Sequence, residues 1–259
     1  MADILGERDD NIPDRPSRVS EPSRESQLPK KFYDDVSVTE RNGQFAIELD
    51  GKSAKTPEKS MLAFSNAAIA EVAALEWREQ GERIDPMTMP MTRLANTAID
   101  GVATDMQAVK EDIIRYAGTD MLCYRADGPA GLVDRQTSLW DPIIDWAQSA
   151  LSVRFTLAEG VMHVEQNPQA IGAFGVHVGQ IDDPLTLAAL HVATSITGSA
   201  ILAMALLKDE VELKQAWEVA HVDEDWNISQ WGEDEDAMQR REKRLVDMTA
   251  AAFVLEQTA

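Results

Sequence analysis

The side chains best able to do chemistry in this sequence crowd between Val222 and Ala237. There VDEDWNISQWGEDEDA sets seven carboxylates (Asp223, Glu224, Asp225, Glu233, Asp234, Glu235, Asp236) and two indoles (Trp226, Trp231) into sixteen positions without a base. Carboxylates this close repel one another, and ligating a cation, pairing with Arg or Lys, or facing open solvent relieves the repulsion. Calcium is the first cation to weigh. Asp223, Asp225 and Asn227 stand at positions one, three and five of an EF-hand loop, but Ile228 occupies the place of the turn glycine and Asp234 that of the bidentate glutamate. A carboxylate pair for glycoside hydrolysis carries no selective value among 45 acids.

Other reactive patterns fail at nameable points. Gly172, Gly175 and Gly179 do not form GxGxxG, and no GxxxxGK[ST] is present to wrap phosphates. Ser199 follows Gly198, yet Ile201 replaces the second glycine of a nucleophile elbow. His163, His177, His191 and His221 are too far apart to make a local metal pair, and the single Cys123 cannot supply a zinc cluster. The sequence therefore points to no catalytic residue, no cofactor and no metal.

Solvent and pairing remain to explain the acidic run. Glu233 to Asp236 suit the first turn of a final helix, favoured by its dipole, with Arg240, Arg241, Lys243 and Arg244 further along. That leaves Asp223 to Asp225 and the indoles unexplained. Each tryptophan fits either a core position or an anchor ringed by charge, the arrangement in which interfaces concentrate binding energy. The field is local: residues 209 to 236 hold eleven acids against Lys214, about half of the net charge of -21. Such a balance disfavours nucleic acid and anionic membranes, which call for clustered Lys and Arg, and favours a basic protein partner. A metal-dependent hydrolase built on the carboxylates, or an acidic decoy for a basic partner, are the other function classes to weigh. Met87, Met89 and Met91 could pack in a core or adapt to an irregular apolar partner.

The elements that must position these groups fall into two kinds. From Phe32 to Phe64 the pattern alternates: Val36 and Val38, then Phe45, Ile47 and Leu49, with Asp50-Gly51 marking a hairpin into a run from Lys52 to Thr56 that Pro57 ends, and a further strand from Met61 to Phe64. Ser65 suits the N-cap of a helix bearing Ile69, Val72, Ala73 and Trp77 and closing at Gly81. Helices are expected within Thr92 to Ile99, over Met106 to Ala117, and from Pro129 to about Ala147, where Asp141-Pro142 should kink or divide the last. Strands are expected at Met121 to Tyr124 and Arg154 to Leu157. Beyond about residue 166 only helical patterns remain, at 168–178, 184–207, 211–221 and 234–255.

This order predicts an α+β fold: an N-terminal domain with a small antiparallel sheet and packed helices over 30–165, then an all-α helical bundle domain over 166–259. Residues 1–29, with eleven charges, four prolines and no aromatic, lack the apolar area to fold and are expected to form a disordered acidic arm. Seven acids make that arm unlike a mitochondrial transit peptide, and it has no apolar signal core, so a bacterial cytoplasmic protein is expected. Cys123 in the apolar run MLCY reads as a buried thiol in a reducing compartment. Leu185 to Leu207 is uncharged for 23 residues, yet its Thr, Ser, His and Gly content favours a buried helix or helix pair, bent near Gly198, over membrane insertion.

The segments FYDDVSV (32–38), DGKSAKTP (50–57), MPMTRLANTAIDGV (89–102), YAGTDMLCYRA (116–126), WDPIIDW (140–146) and DEDWNISQWGEDED (223–236) occur in an order that resembles the ATP12 family of F1-ATPase assembly chaperones. The resemblance runs from Lys31 to about Arg244. It implies a chaperone rather than an enzyme, one that uses no ATP, binds the free F1 α subunit and shields the surface that later contacts β until the hexamer forms. The family occurs in mitochondria and in α-proteobacteria. The family's acidic motif falls on Asp223, Glu224, Asp225, Trp226, Trp231, Glu233, Asp234 and Glu235, which become the expected client-binding residues, with Glu224 and Glu233 first among them. Arg93, Asn96 and Asp100 in MPMTRLANTAIDGV are expected to be structural. A protein of this kind is expected to be a monomer when free.

Overall fold

Two turns that only a left-handed backbone can make fix the register of the sheet. The structure, a computed structural model, describes residues 28–258 apart from Val161 and His163. The expected acidic arm lies outside the described residues save for its last two, and His163 lies outside them as well. Strands β1 (Val36–Arg41) and β2 (Gln44–Leu49) pair antiparallel, Val36 opposite Leu49 and Arg41 opposite Gln44. Asn42-Gly43 closes this hairpin and Asp50-Gly51 the next, with φ of 53° and 76°, then 50° and 73°. Positive φ at both central residues is what a two-residue hairpin of native twist requires. Asp50 fastens its own turn, its Oδ1 accepting from the backbone N–H groups of Asp34 and Asp35. Strands β3 (Lys52–Ser53) and β4 (Ala63–Phe64) both pair with β2. The two strands expected beyond Asp50-Gly51 are shortened to two residues each, linked by an isolated bridge between Lys55 and Met61.

Helix α1 (Ala67–Arg78) is capped one residue later than expected. Asn66, not Ser65, accepts from the N–H groups of Ala68 and Ile69. Its Glu76 carboxylate then receives the N–H groups of Met91 and Thr92, at 2.6 and 2.8 Å, and so caps α2 (Pro90–Asp100) from a neighbouring element. Helix α3 (Met106–Ala117) follows its expected bounds. The expected strand at Met121 begins instead as a 3-10 turn, Met121–Cys123, because buried Asp120 takes the N–H of Leu122. Strand β5 (Tyr124–Arg125) then pairs in parallel with β6 (Ala158–Glu159). The strand expected at Arg154 to Leu157 does not form. The Gln166 amide bonds both the N–H and the C=O of Thr156, satisfying them without a ladder partner.

Helix α4 (Ala130–Ala150) runs undivided through Pro142, held by burial of Trp140, Ile143, Ile144 and Ala147 on both sides of the missing N–H. After it come α5 (Pro168–Gly179), α6 (Pro184–Thr197), α7 (Ala200–Leu207), α8 (Leu213–Ala220), α9 (Val222–Trp231) and α10 (Glu235–Thr258). The uncharged stretch is thus a helix pair, broken where Gly198 turns left-handed at φ 70° and Ser199 caps α7. No helix among the described residues is long and apolar enough to cross a membrane. All eight residues of α7 are buried, and Asp120 reaches in to accept from the N–H of Ile201 at 3.0 Å. Helix α6 packs on α10, α7, α2 and α3 within one apolar cluster that also takes in Ile47, Leu62 and Ile69. The fold is α+β, as expected.

Candidate interaction surface

The acidic motif forms a helical hairpin, α9 running out and the N-terminal half of α10 running back. Helix formation rules out the EF-hand loop, since the helical rotation of α9 sets Asp225 on the opposite side from Asp223 and Asn227. Among the described residues no group of three or more His, Cys, Asp and Glu is placed to hold a metal ion.

The carboxylates divide by their surroundings. On α9, Asp223 Oδ1 accepts from the Nε2 of Gln136 on α4 at 2.8 Å, and the Gln136 Oε1 accepts from the N–H of Ala126, also at 2.8 Å. Asp225 pairs with Arg241 of α10. Glu224 lies 3.7 Å from Arg244 and 3.8 Å from His221 Nε2. Burial holds His221 below the ordinary histidine pKa, while its Nδ1 bonds the Trp217 carbonyl at 2.8 Å and its ring stacks on that indole. As first-turn acids of α9, these three carboxylates also face the positive end of the helix dipole.

The second acidic group is different. Glu233, Asp234, Glu235 and Asp236 are all exposed, and none joins an ion pair among the described residues. Asp234 caps α10 by accepting from the N–H of Ala237 at 2.7 Å, while Glu235 and Asp236 fill the first turn. The two indoles part in the same way. Trp226 turns inward, its ring against Gly131 of α4 with the Arg135 guanidinium 5.1 Å from its centroid. Trp231, the last residue of α9, is 79% exposed, and Gly232 at φ 87° turns the chain beyond it. An indole left so open, beside four unpaired carboxylates, gives the hairpin tip an apolar centre and an anionic rim.

The other singled-out residues lie outside the acidic motif. Asp100 accepts from Thr56 Oγ1 at 2.6 Å and from the N–H of Glu58 at 3.0 Å, Arg93 pairs with Asp247 of α10, and Asn96 is half-buried. Met89 and Met91 are buried, whereas Met87 is exposed. His177 bonds the Leu151 carbonyl and His191 the Asp112 carboxylate. Gly131, Arg135 and Gln136 escaped the sequence reading. A glycine in a helix, roughly 1 kcal/mol worse there than alanine, was the one available signal.

With this geometry in place, the relatives are informative. The sequence profile of ATP12 chaperone proteins matches residues 30–148. A proposed chaperone from Agrobacterium tumefaciens, known by its crystal structure, is 53% identical, covers 90% of this chain and 87% of its own, and superposes with a TM-score of 0.86. The crystal structure of Atp12 from Paracoccus denitrificans is similar at 35% identity and a TM-score of 0.83, over 89% of this chain and 99% of that one. The mitochondrial protein atp12 of Schizosaccharomyces pombe is 22% identical over 238 residues, 87% of this chain and 81% of its own. Fold and relatives together define a chaperone. The chain belongs to the ATP12 family, which acts in F1-ATPase assembly.

Proposed function

We propose that this chaperone binds the free F1 α subunit and covers its β-contacting surface until the α/β hexamer forms. It does so in the bacterial cytoplasm, without ATP and without transforming a substrate. The observation that carries the reading is the hairpin tip, where exposed Trp231 stands beside Glu233, Asp234, Glu235 and Asp236, which join no ion pair among the described residues. An aromatic anchor inside a charged rim suits a partner surface that is apolar at its centre and basic around it.

Asp223, Glu224, Asp225 and Trp226 lie on the helix that carries the tip outward, where Glu224 and Asp225 face Arg244 and Arg241 and Asp223 and Trp226 meet α4. Free α subunit mixed with the purified chain should stay soluble and elute with it as a 1:1 complex. Unchanged α aggregation and no complex at micromolar concentration would contradict the proposal. A calorimetric titration with Ca²⁺, Mg²⁺ and Mn²⁺ tests the metal-dependent alternative, which tight stoichiometric binding would revive.

A further inference from the structure

We infer that Gly131 and Gln136 of α4 are positioning residues that set how α9 is presented, with Trp226 and Asp223 as their counterparts rather than client contacts. The consequence for binding rests on the proposed capture of the F1 α subunit; the positioning itself does not.

The fit at Gly131 leaves no room for a side chain. A Cβ there would stand 2.7 Å from Cη2 and 3.0 Å from Cζ3 of Trp226, well inside the roughly 3.5 Å at which carbon atoms rest. Arg135, one turn along α4, closes over the same ring. Two residues are thereby committed to a single indole.

Gln136 completes the socket. It is 3% exposed, and both ends of its amide are spent: Oε1 on the N–H of Ala126, Nε2 on Asp223. The first bond ties α4 to the segment after β5, and the second ties α9 to α4. A buried amide with both ends used in this way fixes an angle as well as a contact. Asp223 and Trp226, three positions apart on α9, share the face that meets α4, which turns the far side of α9 and Trp231 to solvent.

Paired substitutions in the full-length chain separate the two contacts. Gly131→Ala should raise amide exchange over residues 222–231 by about tenfold, because the added methyl lifts the indole while alanine favours α4 itself. Capture of purified F1 α subunit should weaken by about tenfold, with the thermal midpoint held. Trp226→Phe, which removes the colliding atoms, should restore both in the Gly131→Ala background. Gln136→Glu should likewise set two carboxylates against each other and be rescued by Asp223→Asn.

Unchanged exchange over 222–231 in Gly131→Ala would overturn the socket. So would a Trp226→Phe or Asp223→Asn variant that keeps its exchange protection yet loses capture, since the residue would then touch the client. Failure of the wild-type chain to capture the α subunit would refute the proposed function, and the exchange measurement would still decide the positioning.

Discussion

Arg241 of α10 pairs with Asp225 of α9 across the hairpin, and the guanidinium that makes the pair also lies 5.9 Å from the ring centroid of Trp217 on α8. Three consecutive helices therefore meet at one side chain, which is only 13% exposed. An exposed ion pair contributes about 0.2–1 kcal/mol, but a largely covered arginine adds packing through its stem. Arg241→Ala should lower stability by about 1–2 kcal/mol in urea titrations. An unshifted midpoint would mean that the hairpin is held elsewhere.

Trp231 should behave in the opposite way. With its indole in solvent, Trp231→Ala should change the urea midpoint by less than about 0.5 kcal/mol, the usual limit for surface substitutions. Capture of the α subunit should fall sharply in the same variant. Charge reversal at Glu233, Glu233→Lys, should weaken capture in a salt-sensitive manner without unfolding the chain. Normal binding by both variants would move the contact off the tip.

Asp120 makes stability depend on mild acid. Burial pushes its carboxyl up to about 6 from 3.8, against the downward pull of hydrogen bonds from Ile201, Ser199, Leu122 and Ala200. A folded-state pKa above the unfolded one means that the native state holds the proton more tightly. Stability from this group is thus full below about pH 4 and is lost as pH rises through 6. Relative to Asp120→Asn, the wild-type chain should lose at most about 3 kcal/mol across that window, read from urea midpoints between pH 4 and 7. A difference of the opposite sign would show that the hydrogen bonds outweigh burial.

Cys123 should be inert in the folded chain. It is 1% exposed, and burial, reinforced by nearby Asp120, pushes its thiol up to about 12. Iodoacetamide at pH 8 should leave it unmodified in native buffer and alkylate it in denaturant, as mass spectrometry would record. Native-state alkylation at the denatured rate would contradict its burial.

Local chemistry made much of this fold legible in the sequence. Asp50-Gly51 announced its hairpin because both residues tolerate positive φ, and the break at Gly198 followed from the same property. The apolar period of Met106 to Ala117 gave α3 its bounds. Misplaced elements share a physical cause: a side chain took over backbone groups, from two residues away as Asp120 did at Leu122, or from further off as Gln166 did at Thr156 and Glu76 at the start of α2.

The candidate site was legible in composition but not in division of labour. Helix α9 has little apolar period of its own and is held by Gln136, Gly131 and Arg241, none of them adjacent in sequence, so neither its helicity nor the inward turn of Trp226 could be read from DEDWNISQW. The exposure of Trp231 depends on where α10 returns, which the short turn at Gly232 decides.

In the proposed function the hairpin tip touches the unassembled α subunit. A photo-crosslinking residue placed at position 231, compared with one at exposed Leu75 on α1, tests this in the purified complex. Crosslinks from 231 into the β-contacting surface of the α subunit, with none from 75, are the predicted result. A stable complex that yields no crosslink from 231 would contradict the account.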